Sequence, residues 1–338
     1  MRILRATLAA AVVAGALGGP AAAKDFYRMS TLAPGSTIYV ITAGFAQIVN
    51  KHVPEMELQV NATGTAVQFM LDAGRGNLDF FFSAALTGYY MKTGGAMYAN
   101  VKEAPELYKN LRGIFSFSSG AFQFVAYDGS AIRSLMDIKG KRVFLGPPAG
   151  GSTVFAQALV EGATGYKAGQ DFDMARMGFG PAQQAFQDRK IDLWVSPSLV
   201  PSAAIQEIAL TNKIRIIGLT EADFEKEAVK KAMSLPGRSR EAIPPKVYGA
   251  NQMNTEPVYT GAAWVGVGVR KGVPEDVVYR ATKAFWDNIG ELYAQGEALK
   301  NVSLENALKH MPTPLHAGAL RYYREKGVAI PPELIAQD

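Results

Sequence analysis

Twice along the chain the same order of segments recurs: strand-like, helix-like, strand-like, helix-like, strand-like. This feature limits the fold most, because such alternation lays parallel strands side by side with helices over their faces. The first set is FYRMSTL (26–32), a helix over 37–52, MELQVNA (56–62), a short helix over 65–73 and LDFFFS (78–83). In its first helix Ile38, Ile41, Phe45, Ile48 and Val49 fall on one face at helical spacing. The second set is RVFLG (142–146), a helix over 152–162, a strand over 173–179, a helix over 181–188 and IDLWVS (191–196). Pro181 stands in the first turn of its helix, where the N–H that proline lacks has no intrahelical partner. The segments 67–83 and 182–197 also resemble each other. Each carries a glutamine early in its helix and an Asp four residues before a Ser: Asp79 with Ser83, Asp192 with Ser196. These readings predict an α/β protein of two lobes built on one plan. FQFVAYDG (122–129) leads out of the first lobe and YTGAAWVGVGVR (259–270) returns to it as a buried strand, with helices from there to the end.

The first residues are of another kind. Arg2 and Arg5, an apolar stretch over 8–17 and Ala21-Ala22-Ala23 have the layout of a secretory signal peptide over 1–23, too short in its apolar part to span a bilayer. The remainder is longer than one core usually holds, which predicts two lobes: 24–125 with 251–338, and 126–250. There is no cysteine, so disulfides, thiol catalysis and a lipidated N-terminal cysteine are excluded. An exported chain without a lipid anchor is expected in the periplasm. Its 35 Lys and Arg against 30 Asp and Glu are scattered, with no basic track interleaved with aromatics, so no nucleic-acid partner is expected. We expect a monomer.

Four loops share one design, in which a strand ends, small residues follow and a helix begins: APGST (33–37), ATGT (62–65), PPAGGST (147–153) and GFGP (178–181). In parallel α/β sheets these junctions lie at the carboxyl edge of the strands, where ligands bind. Glycine admits a ligand close to the backbone, Ser and Thr cap the helix and offer hydroxyls, and unpaired first-turn N–H groups favour an anion. One helix terminus contributes about 0.3–1 kcal/mol to holding an anion, whereas micromolar binding requires about 8 kcal/mol. Several loops closing from two lobes are therefore needed. Enzymatic readings find less support. PPAGGST has no lysine for a phosphate loop, and GVGVR (266–270) lacks the third glycine of a dinucleotide fingerprint. Ser152 as a nucleophile would need a histidine base, and His52, His310 and His316 all lie far off in sequence, with no metal-ligand spacing among them. No cofactor is implied. Tyr39 stands where a phenol reaches into a cleft. Trp194 is open between core and cleft, and Arg176 reads as solvent-facing. The repeat adds Ser83, Gln183 and Ser196 to the candidates.

The stretches DIKGKRVFLGPPAGGST (137–153), PLHAGALRYYREKGV (314–328), APGSTIYVITAGFAQIV (33–49) and GRGNLDFFFS (74–83) resemble the TAXI solute receptors of TRAP transporters, in order and over essentially all of the chain after its leader. The resemblance implies a type II periplasmic-binding-protein fold, with two α/β lobes joined by two crossing strands and a ligand cleft between them. It also implies a non-enzymatic receptor that hands a small organic anion, such as glutamate or 2-oxoglutarate, to an ion-coupled membrane permease. Carried over by position, it places Ser36, Thr37 and Tyr39, then Thr63, Gly64 and Thr65, then Gly150, Gly151, Ser152 and Thr153 at the cleft. The chain departs from the family where Val40 follows Tyr39 in place of a common proline, and where Ala66 and Val67 replace a frequent Glu-Asn pair. Gln68 is the candidate substitute for that polar group. The HAGALRYYREKG run is expected to be structural. A receptor of the same fold serving an ABC importer, and an exported hydrolase using Ser152, stay open as alternatives.

Overall fold

The computed structural model describes residues 24–34, 36–148 and 150–337, so the leader expected over 1–23 lies outside the described residues. The first set of elements is β1 (Asp25–Ser30), α1 (Thr37–His52), β2 (Met56–Asn61), α2 (Ala66–Gly74), β3 (Phe80–Ala84), α3 (Ala85–Thr93) and α4 (Ala104–Tyr108). A strand of 17 residues, β4 (Leu111–Tyr127), then carries the chain away. The second set is β5 (Arg142–Phe144), α5 (Gly151–Thr164), β6 (Asp173–Met174), α6 (Phe179–Gln187), β7 (Leu193–Ser198), α7 (Ala203–Thr211), β8 (Ile214–Ile217), α8 (Glu221–Glu225), α9 (Glu227–Met233) and β9 (Arg238–Ile243). The 13-residue β10 (Val258–Arg270) returns. It is followed by α10 (Glu275–Asp287), α11 (Gly290–Tyr293) and α12 (Ala317–Glu325).

Sheet order reveals the duplication. One half reads β2-β1-β3-β10 and the other β6-β5-β7-β4. In each, the first strand pairs in parallel with the second and third, and the third pairs antiparallel with a long strand arriving from elsewhere. The two long strands are the crossings. β4 pairs with β10 from Leu111 as far as Ala121, with an irregularity after Ser118, and with β7 from Ala121 onward. β10 pairs with β9 over Val258–Ala263 and with β3 from Val265. This is the α/β architecture of two lobes and two crossing strands that the sequence predicts.

The repeated Asp acts in the same way in both halves. The Asp79 carboxylate accepts the Arg28 backbone N–H at 3.0 Å while the Asp79 N–H donates to the Arg28 carbonyl at 3.1 Å. Asp192 makes the same reciprocal pair with Arg142, at 2.8 Å each way. Each Asp thus latches its third strand to the first. The glutamines match as well: Gln68 donates to Asp72 and Gln184 to Asp188, both within one helical turn. Burial alone would raise the Asp79 carboxyl, but the Arg28 N–H and the Arg270 and Arg28 side chains more than offset it and hold it below its ordinary value. An unfolded chain then takes up that proton first as pH falls, so the latch contributes fully above about pH 4 and is lost below it. Asp79→Asn is therefore expected to flatten the acid limb of the stability curve, measured as urea midpoints between pH 3 and pH 7. An unchanged acid limb would show that other carboxylates govern it.

One apolar cluster gathers α1, β3, the start of β4, the end of β10 and the C-terminal helices, with Phe45 set against Phe80, Phe115 and Phe285. Two further clusters lie around the second half of the sheet, one with Phe155 and Leu159 of α5, the other with Phe186 and Trp194. The α12 run is structural, as expected. An added Cβ at Gly318 would stand 2.2 Å from the Glu275 carbonyl of α10, and Tyr322 and Tyr323 are buried. The strand expected over 173–179 is only two residues long, since the chain turns at Gly178 and α6 already begins at Phe179. The helix α3 and the strands β8 and β9 were not foreseen.

Candidate functional site

Four junctions were expected to act alike, and they divide into two kinds. At α1 the Ser36 hydroxyl caps the helix, accepting the Tyr39 N–H at 3.2 Å, with Thr37 as the first helical residue and Tyr39 half-buried. At α2 Thr65 caps in the same way, accepting the Gln68 N–H at 3.4 Å. Gly64 before it has φ +110° and the Phe69 ring against the place of a side chain, and Thr63 donates to Asn61 at 2.8 Å. The Gln68 amide is tied to Asp72. These two helix starts are closed by their own side chains.

The start of α5 is open. Its cap is Gly150, with no side-chain acceptor, while Gly151, Ser152 and Thr153 form its first turn. Ser and Thr do not cap here as expected. Thr153 instead is buried and donates to the Pro147 carbonyl at 2.5 Å, which also takes the Gly150 N–H at 3.2 Å. Thr153 and Gly150 are thereby tied to Pro147, and among the described residues the first-turn amides of α5 have no side-chain cap. The fourth junction, at Gly178 before α6, is uncapped in the same way. A fifth helix start is also open. α3 follows β3 without a connecting residue, and its cap, Ala84, offers no acceptor. The two open starts of α3 and α5 meet: a Cβ added at Gly151 would lie 4.0 Å from the Thr87 hydroxyl in the first turn of α3. Thr87 is buried.

A third element closes this junction. Gly237, at φ +73°, leads into β9 with Ala85 of α3 against the place of a side chain. The next residue is Arg238, only 9% exposed. Its guanidinium lies 3.8 Å from the centre of the Phe155 ring, in the second turn of α5. Among the described residues its side chain has no hydrogen-bond or ion-pair partner, and its Nε is sealed from solvent. Burial pushes its pKa down to about 10, with the Tyr90 phenol opposing weakly, so it stays charged at neutral pH. Nothing in the sequence marked Arg238. It stands in a charged stretch that reads as surface, and only the pairing of RSREAI with VYTGAA turns that stretch into a strand beside a helix start. Arg176, the arginine weighed from sequence, is exposed.

The repeat's serines lie deeper. Ser83 is buried opposite Gly266 of β10. Ser196 is buried 3.3 Å from the Ser198 hydroxyl, beside a network that joins Gln123, Ser198 and Tyr248. Gln183 is half-buried, and its neighbour Gln184 takes the place equivalent to Gln68. Trp194 belongs to the core. The three histidines have other partners than Ser152: His52 bonds to Glu291, His310 lies against Trp264, and His316 caps α12. Among the described residues no helix is long and apolar enough to cross a membrane, and no cluster of three or more His, Asp or Glu side chains could hold a metal ion.

The profile of the NMT1-like family matches residues 29–327. The chain belongs to the NMT1-like family. Solved structures similar to this NMT1-like chain include the periplasmic aliphatic sulphonate-binding protein SsuA of Escherichia coli, at 14% identity over 90% of this chain and 89% of that one, with a TM-score of 0.42. The alkanesulfonate-binding protein SsuA of Xanthomonas axonopodis pv. citri, bound to MOPS, is 12% identical over 90% and 92% of the two chains, with a TM-score of 0.46. The Bordetella pertussis extracytoplasmic solute receptor DctP7, which binds pyroglutamic acid, is 12% identical over 89% and 92%, with a TM-score of 0.43.

Proposed function

We propose that this protein is a periplasmic solute receptor, not an enzyme, which captures a small organic anion of amino-acid, keto-acid or dicarboxylate type between its lobes. It then delivers that anion to a TRAP-type ion-coupled permease. One observation carries the reading: the uncapped starts of α3 and α5, one from each half of the sheet, meet beside the crossing strands with Gly151 against Thr87. Among the described residues neither helix start has a side-chain cap, and uncapped first-turn amides favour negative charge; the two starts come from different halves of the sheet. The lobe assignment of 24–125, 126–250 and 251–338 belongs to this proposal, supported by the pairing of β4 with β10 as far as Ala121 and with β7 from there on. So does the assignment of Ser36, Thr37, Tyr39, Thr63, Thr65 and Ser152 to the cleft rim.

Purified protein should be stabilised by its ligand by about 2.7 kcal/mol at a hundredfold excess over Kd, a rise of about 5 °C in Tm. A thermal-shift screen of organic acids and sulfonates tests this. No response to any carboxylate or sulfonate would sink the receptor reading, and turnover of ester substrates would then put a Ser152 hydrolase in its place. The choice between permeases is separate: a neighbouring gene for an ATPase, with none for a large multi-span permease, would assign the receptor to an ABC importer.

A further inference from the structure

We propose that Arg238 anchors the ligand's anionic head, and that this head presents two oxygens of one atom, as a carboxylate or a sulfonate does, gripped edge-on. The inference rests on the receptor reading above and adds the ligand's chemistry. Stacking on Phe155 occupies a face of the guanidinium, and a stacked guanidinium still has every N–H in its plane, directed outward. Among the described residues none of those N–H groups has a protein acceptor, and Nε is buried. A buried cation left unpaired is costly; a buried arginine normally has a carboxylate beside it. Here the neighbours are instead two helix starts, α3 and α5, whose partial charge is also positive. Three sources of positive potential thus meet, among the described residues with no protein anion paired to them, in a junction already walled by Thr87, Gly151, Ala85 and Phe155. Two oxygens on one atom match the outer edge of the guanidinium, where Nη1 and Nη2 are not sealed as Nε is, in a parallel pair of hydrogen bonds. A chloride or an alcohol brings one acceptor atom to two parallel donors and matches them less well.

Arg238→Met and Arg238→Lys test the assignment in the full-length mature protein. The probes are propionate, L-glutamate, 2-oxoglutarate and methanesulfonate, read by thermal shift and calorimetry. For whichever probe stabilises the wild type, Arg238→Met should bind about 100-fold more weakly or worse. Arg238→Lys, which keeps the charge and loses the fork, should fall in between. Without ligand, Arg238→Met should melt at the same temperature as wild type or higher, because it removes an unpaired buried charge; an arginine of structural value would show the opposite. A response confined to the carboxylates or to methanesulfonate identifies the head, and both support the anchor. If the wild type responds and Arg238→Met binds the same probe within threefold, or if unliganded Arg238→Met melts clearly lower, the anchor is overturned and the receptor reading stands. If no carboxylate or sulfonate stabilises the wild type, the receptor reading falls and the anchor with it.

Discussion

Gly120→Ala should remove about 4 kcal/mol or more of stability, enough to leave much of the chain unfolded at 37 °C. Two costs add at this residue. Its φ of +89° lies in the region that L side chains avoid, which costs about 1–2 kcal/mol. An added Cβ would also stand 2.0 Å from the Ser198 carbonyl oxygen and 2.3 Å from the Leu199 amide, both backbone atoms of the neighbouring chain segment. Only separation of β4 from β7 relieves that overlap, and the pairing of β4 with β7 begins at the next residue, Ala121, which also pairs with β10. The Gly120 N–H is also held, donating to the Ser118 hydroxyl at 3.0 Å, which in turn donates to Glu241 at 2.7 Å. Gly140→Ala is the matched control, with φ +70° and nothing within 4 Å of the new methyl group. It should lose only the conformational part, about 1–2 kcal/mol. Urea unfolding of the pair measures the packing share by difference. Equal losses would mean that the crossing tolerates a wider strand separation than its geometry implies.

The sequence made the duplicated plan legible because two of its signals are local. Apolar spacing in α1 and the unbroken apolar run of β3 need no knowledge of partners, and a strand buried on both faces must read as such a run. The Asp79 and Asp192 repeat was visible too, although its meaning as a strand latch required the partner arginines to be brought alongside. What stayed hidden was non-local. RSREAI (238–243) alternates charge in a way that suits a solvated edge, and becomes a strand only by pairing with β10. α3 begins where β3 ends, with neither glycine nor proline to mark the change and no side-chain cap. A reading that seeks helix starts by their capping residues finds Ser36 and Thr65 and passes over Ala84. The starts with the best caps are those whose amides are already engaged, so the local signal that marks a helix start also lowers its availability to a ligand. Gly150 shows the alternative, a start marked by small residues and held by Thr153 against Pro147, with its amides left open.

Gln123→Leu should cost about 3 kcal/mol, and the reason lies in who depends on Gln123 rather than in its size. The residue is fully buried in β4, two positions past the start of the pairing with β7. Its Nε2 donates to the Ser198 carbonyl at 3.1 Å and to the Ser198 hydroxyl at 3.0 Å. Its Oε1 accepts the Tyr248 hydroxyl, which itself accepts the Ser202 N–H at 3.0 Å. Leucine fills the same space but strands the Tyr248 hydroxyl proton and a Ser198 acceptor, each at about 1–3 kcal/mol when buried. Tyr248→Phe alone should cost about 2 kcal/mol, since the Ser202 amide and the Gln123 carbonyl lose their partner. The informative quantity is the double variant. Once Gln123 is leucine, the Tyr248 hydroxyl has already lost its acceptor, so removing it relieves one unmet group while stranding only the Ser202 amide. The two losses should therefore fall short of their sum by about 1 kcal/mol or more. Strict additivity would mean that the four groups do not act as one network, and that water already serves the end of β7 where the second lobe meets the crossing.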